Sequence, residues 1–225
     1  MRLLIPLFLL LSFLNAKTLF KEDFKNLDNW KPLNFEKIKK HSTYRVEDSI
    51  LVAKSDASAS GIIFKKTYDI YKYPILTFRW KINNTYKKGD AKTKGGDDYP
   101  IRIYIMFKYN PDKASFFESV KYGLAKSIYG KYPPKSALNY IWANKKHKEK
   151  IITSAYTDKA KMIVADYGKE YLNVWREHTV NVLKDYQKAF GEKPPVKVSL
   201  AIMTDSDNTK ESSLSYVDFI EVKSE

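Results

Sequence analysis

The 225-residue chain contains no cysteine. That absence excludes thiol catalysis, thiolate metal sites and disulfide staples. A chain of this length can bury a sizeable core without staples. Histidine is scarce: His41, His147 and His178 stand far apart without metal-ligand spacing, and each is read as a surface or packing residue. Glycine is scarce too, with eight residues. No glycine-rich phosphate loop follows a strand pattern, and no G-x-S-x-G nucleophile elbow is present. Beyond the N-terminus no long apolar run occurs, so no later membrane span is expected.

The N-terminus, MRLLIPLFLLLSFLNA, has the layout of a secretory signal. Arg2 supplies the positive region, Leu3 to Leu14 the apolar stretch, and Ala16 a small residue for cleavage. Residues 1–16 are therefore expected to be a signal peptide. Residues 17–225 are expected to form one exported domain, periplasmic or secreted. No cysteine follows the apolar stretch, so a lipoprotein anchor is excluded.

The formal charge is +14. Strong basicity can signal nucleic acid or anionic surfaces. Here the lysines are scattered through KKHS, YKKGDAKTK and NKKHKEK, and an exported protein rarely meets DNA. A solvated lysine-rich surface is the plain reading, with no nucleic-acid partner. Weak attraction to anionic lipid or acidic glycan stays open.

Ten short segments alternate with the period of a half-buried strand: Tyr44–Val46, Ile50–Ala53, Gly61–Lys65, Ile75–Ile82, Ile101–Lys108, Ala137–Ala143, Lys161–Ala165, Trp175–Leu183, Val196–Met203 and Ser215–Val222. Two packed antiparallel sheets are the natural way to bury so many, which makes the chain all-β. Two helical interruptions break the pattern. Phe116, Val120, Leu124 and Ile128 form an apolar stripe within Asp112–Tyr129, with Asp112 placed to cap, giving a helical insertion over about 112–131. Leu183 to Phe190, stopped by Gly191 and Pro194-Pro195, reads as a second, short helix.

Alternation also assigns faces. Ile101, Ile103, Ile105 and Phe107 point to the core, leaving Arg102 and Tyr104 on the opposite face. By the same reasoning Arg79 sits opposite Trp80, and Tyr140 and Trp142 sit opposite Ile141. If these strands are neighbours, Arg79, Arg102, Tyr104, Tyr140, Trp142 and Met203 share a mixed face suited to stacking on sugars. The plainer reading is an ordinary outer sheet face.

Four carboxylates flank the strands: Asp97 and Asp98 before one, Asp205 and Asp207 after another. Three readings compete. Turn aspartates bond local backbone N–H groups. Oxygen ligands at alternate positions, as in Asp205-x-Asp207-Asn208, suit calcium. Paired carboxylates also serve hydrolysis of polysaccharide. Calcium is the one cofactor in view. A ligand-binding role is accordingly expected for Arg79, Arg102, Tyr104, Tyr140, Trp142, Asp97 and Asp98, and a metal role for Asp205 and Asp207.

Taken in order, GDDYPIRIYIMF, YIWAN, VNVLKDYQKAFGEKPPVKVSLAIMTDSDNT and YVDFIEV resemble the bacterial exported family catalogued as domain of unknown function 3047. SDASASGIIFKK and YPILTFRWKI extend the likeness over nearly all of residues 17–225. The Asp-Asp pair and the Thr-Asp-x-Asp-Asn segment are its most specific features. The resemblance implies a two-sheet jelly-roll β-sandwich, similar to the concanavalin-like and galactose-binding folds. It carries no catalytic residue across. The resulting expectation is a monomeric module that binds a glycan or another cell-envelope ligand, with a polysaccharide hydrolase and a structural protein of the envelope as rivals.

Overall fold

A computed structural model describes residues 16–114, 116, 122 and 132–225. Its strands are β1 (Thr18–Glu22), β2 (Trp30–Leu33), β3 (Thr43–Glu47), β4 (Ile50–Asp56), β5 (Ala59–Asp69), β6 (Ile75–Ile82), β7 (Arg102–Phe107), β8 (Ser136–Ala143), β9 (Ile151–Thr153), β10 (Ala160–Tyr167), β11 (Arg176–Asn181), β12 (Lys197–Asp205) and β13 (Ser212–Lys223), with one α-helix described along its length, α1 (Val182–Phe190). Every segment expected to be extended contains a strand, although Val182 and Leu183, the end of Trp175–Leu183, open the helix. Three more strands, β1, β2 and β9, lie outside the expected segments.

The strands form two sheets of a jelly-roll sandwich. One runs β11-β6-β13-β4-β3, with β1 pairing β13. The other runs β2-β5-β12-β7-β8-β10-β9. The long β13 is shared along its length: its first half pairs β4 and its last residues pair β1. Pairing is antiparallel except for β8 with β10, which run parallel. The chain leaves β8, reaches the sheet edge as β9 and folds back as β10 between them, so a parallel contact follows from an otherwise antiparallel path.

The core lies between the sheets. Phe78 and Trp80 of β6 meet Tyr140 and Trp142 of β8, with ring centroids 6.0 and 6.2 Å apart for Phe78–Tyr140 and Trp80–Trp142. Helix α1 caps one end of this core. Asn181 accepts from the Lys184 N–H at 2.9 Å, the usual N-cap bond. Gly191 ends the helix at φ 71°, a left-handed conformation that glycine adopts without steric cost. Between these ends Val182 and Tyr186 are buried, and Tyr186 packs on Phe107 at 4.3 Å.

The expected helix over Asp112–Tyr129 lies almost wholly outside the described residues. At its start, Pro111–Lys113 is a short 3-10 turn, and the cap is Asn110 rather than Asp112: the Asn110 side chain accepts from the Asp112 N–H. No helix among the described residues is long and apolar enough to cross a membrane.

Candidate functional site

The acidic residues on either side of β7 and β12 converge. Antiparallel register sets Met203 of β12 opposite Arg102 of β7, so the end of β12 meets the start of β7. The Arg102 guanidinium donates to Asp205 Oδ2, and both side chains are almost wholly buried. The other carboxylate oxygen of Asp205 accepts from the Tyr99 N–H at 3.2 Å. Arg102 lies over the rings of Tyr99 and Tyr104, with centroids 4.9 and 5.2 Å away. Its Nε is buried without a hydrogen-bond partner.

Asp98, fully buried, organises the turn after β12. Its carboxylate accepts from the Thr209 N–H at 2.6 Å and from Asn208 Nδ2 at 3.0 Å. Its carbonyl accepts from Asn144 Nδ2 at 2.6 Å. Asn144 Oδ1 in turn accepts from the Tyr86 N–H. Asn144 thereby ties the 83–100 loop to the end of β8. Gly89 makes room for it, since a Cβ there would stand 2.0 Å from the Asn144 amide nitrogen. Asp97 accepts from the Tyr99 hydroxyl at 2.8 Å.

One oxygen from each of Asp98, Asp205 and Asp207 lies within 4.8 Å of the others. Calcium–oxygen bonds of about 2.4 Å allow ligand oxygens up to about 4.8 Å apart, so these three carboxylates fit a calcium ion by spacing and chemistry. The cluster is also under-neutralised. Four carboxyl groups face one buried guanidinium, with Lys210 acting on Asp207 from outside, and of the four Asp207 is the partly exposed one. Burial pushes the Asp205 carboxyl well above its ordinary range, against the pull of Arg102. Burial raises Asp97, again opposed by Arg102. Asp207 is raised by burial and by the neighbouring Asp98. Tyr104 is pushed up to about 12, by burial.

The shared mixed face does not form. Arg79 is on β6 in the opposite sheet, where it pairs with Asp218 at 3.0 Å and lies near the Trp175 ring. Tyr140 and Trp142 are buried in the inter-sheet core. Register explains this: Ile103 is opposite Tyr140, so these aromatics share the inward face of Ile103. Trp142 donates to the Gly168 carbonyl, and Tyr140 to Asp185. Neither ring is available for stacking on a ligand. The structure brings together Asp97, Asp98, Arg102, Tyr104, Asp205 and Asp207.

Sequence reasoning missed Tyr99, Thr209 and Tyr156. The first two sit inside the acidic segments, where the Tyr99 N–H and hydroxyl and the Thr209 N–H answer those acids; Asn208, read among oxygen ligands, instead donates its amide to Asp98. Tyr156 carried no signal. It reaches the rim from the β9–β10 connection, where its hydroxyl lies 3.0 Å from the Lys94 carbonyl and 3.2 Å from Asn208 Oδ1. Its ring stays 55% exposed. A second polar centre was also unforeseen. Asp166 of β10 accepts from His178 at 2.6 Å, from Trp80 Nε1 at 2.8 Å and from Arg176 at 3.1 Å, joining the two sheets.

The chain belongs to the family described as "Protein of unknown function (DUF3047)", whose model matches residues 28–221. No curated protein matches it significantly. Among solved structures, it is similar to a Bauhinia forficata lectin in complex with GalNAc: 10% identity, TM-score 0.47, covering 94% of this chain and 99% of that one. It is also similar to the family 11 carbohydrate-binding module of the Clostridium thermocellum cellulase Lic26A-Cel5E: 12% identity, TM-score 0.43, covering 94% and 95%. Winged bean acidic lectin with methyl-alpha-D-galactose gives 8% identity and a TM-score of 0.46, covering 93% and 99%. No residue correspondence follows from likeness at this level.

Proposed function

We propose that this family member is a non-catalytic, monomeric glycan-binding module, exported to the periplasm or beyond, whose site is the acidic rim at the junction of β7 and β12. The observation that carries the reading is the convergence of Asp98, Asp205 and Asp207 around a space that suits one calcium ion. Asp98 and Asp205 already have internal donors that fix their orientation. Asp207 is the partly exposed carboxylate and faces the ligand side. A cation held there would offset the surplus negative charge and leave coordination positions for sugar hydroxyls. Tyr156, exposed and tethered to Asn208, supplies an apolar ring beside them. The N-terminal signal pattern supports export.

The test is a glycan and cell-wall fragment screen on the chain with calcium and with chelator. Asp207→Asn and Tyr156→Ala would be run beside the native sequence, each checked for folding. A calcium-dependent hit lost in Asp207→Asn and weakened in Tyr156→Ala is the expected result. Absence of calcium binding by calorimetry, together with no hit, would refute the reading. A hydrolase reading draws on the raised carboxyl groups of Asp97 and Asp207. Product release from any bound polysaccharide would favour it over simple binding.

A further inference from the structure

A second, chemically opposite site lies at the far end of the same strands. Lys108 follows β7 and Lys197 opens β12, joined by a 2.9 Å bond from the Lys108 N–H to the Lys197 carbonyl. At strand rise this is about 20 Å from Arg102. A cleft of about 530 Å³ opens there. Lys108, Lys135, Lys193 and Lys197 line it, against Asp112 as the acidic residue among the described lining. Such a volume suits a small ligand, and a concave site with an excess of one sign of charge concentrates counter-ions.

Two tyrosines give the cleft more than charge. Tyr71 lines it with a 41% exposed ring, steadied by its hydroxyl donating to the Pro194 carbonyl at 2.8 Å. Tyr109 also lines it, and its hydroxyl is buried without a hydrogen-bond partner. Lysines beside a ring for stacking match a carbohydrate that carries negative charge. A membrane surface would instead call for a protruding basic face with apolar tips.

We infer that this cleft binds an acidic oligosaccharide whose carboxylates pair with Lys193 and Lys197 while a sugar ring lies on Tyr71. The site is independent of the acidic rim and needs no metal.

The full chain would be titrated with an oligogalacturonate, with a neutral oligosaccharide, with inorganic phosphate and with vesicles of anionic phospholipid. The variants are Lys193→Glu with Lys197→Glu, and Lys54→Glu as a control at an exposed lysine of the other sheet. The expected result is binding of the oligogalacturonate over the neutral sugar, indifferent to chelator. It should weaken by about tenfold or more in the cleft variant, and within about twofold in the control, the scale of surface charge pairs. Three results would overturn the inference: equal loss in both variants, binding of vesicles or phosphate but not the oligosaccharide, or loss on chelation with the cleft variant unaffected. The last would place binding at the acidic rim instead.

Discussion

Replacing Arg102 by Met removes the guanidinium that pairs with Asp205 in the buried part of the acidic rim. The methionine stem can fill space between Tyr99 and Tyr104, so the change is chiefly electrostatic. Asp205 is left 1% exposed beside Asp97 and Asp98, with the Tyr99 N–H as its remaining donor. Breaking a buried pair from one side costs about 3–5 kcal/mol. For a domain of this size that corresponds to roughly 6–20 °C in Tm, at about 2–4 °C per kcal/mol. The pH dependence has a definite sign. Burial already raises the folded-state pKa of Asp205, and loss of Arg102 raises it further. A carboxyl raised on folding stabilises the native state at low pH, and that contribution is lost as pH climbs through the folded-state value. The gap between native and Arg102→Met chains should therefore be widest near neutrality and narrow toward pH 4. Adding Asp205→Asn, which retains an acceptor for Tyr99, should recover more than half of the loss. Thermal melts of the three chains across pH provide the measurement. A loss below about 1 kcal/mol that is flat with pH would mean that the pair is solvated, and the buried rim would be misdescribed.

Two further substitutions test the rest of the frame. Trp142→Ala should destabilise by about 3–5 kcal/mol through the cavity left against Trp80, read as a fall in denaturation midpoint; if it bound glycan less while keeping its stability, the ring would be a surface residue after all. Asp166→Asn weakens charge-assisted bonds to His178 and Arg176 and should cost about 1.5–3 kcal/mol at neutral pH. Burial pushes the Asp166 carboxyl up, but its donors, His178 first, outweigh that and leave it below the ordinary value. Its contribution is thus present above the unfolded pKa and lost as pH falls through the folded one. The variant should show a flatter acid limb in a stability-versus-pH curve, and an unchanged limb would refute the clamp.

The architecture was legible because most strands have one buried and one mixed face. Ile75–Ile82 was read with the boundaries that the structure shows, and β7 alternates strictly enough to assign Ile103 and Ile105 inward. The faces of β8 were not legible. Its outer side is covered by the 83–100 loop, so that Ile141 and Ala143 pack against Ala91 and Tyr99. A strand buried on both faces has no polarity contrast to read, and alternation alone puts Ile141 toward the core when the larger rings point inward. Arg79 illustrates a different limit: alternation says which side of its own strand a residue occupies, never which sheet that strand joins. The acidic rim was partly legible because its members sit at strand ends that antiparallel pairing brings together. Tyr156 arrives from a loop distant in sequence, and no local pattern announces it.

On the proposed reading the rim is more than a register device. A clamp that merely fixed the ends of β7 and β12 would be complete with Arg102, Asp205 and the backbone donors that Asp98 receives. Asp97 and Asp207 add negative charge that Arg102, with Lys210 beside Asp207, offsets only in part, since both carboxyl groups stay raised. Burial of extra like charge costs stability unless protons or a counter-ion accompany it. Proton uptake would answer the charge by neutralising the carboxyl groups, which gives no reason for three of their oxygens to converge. A divalent cation, as proposed above, would account for both the surplus charge and the convergence. The partial exposure of Asp207 would then be the opening through which a cation and a sugar enter. The basic cleft some 20 Å along the same strands gives the sheet opposite charge at its two ends, an arrangement that would set the direction in which an acidic chain lies across it.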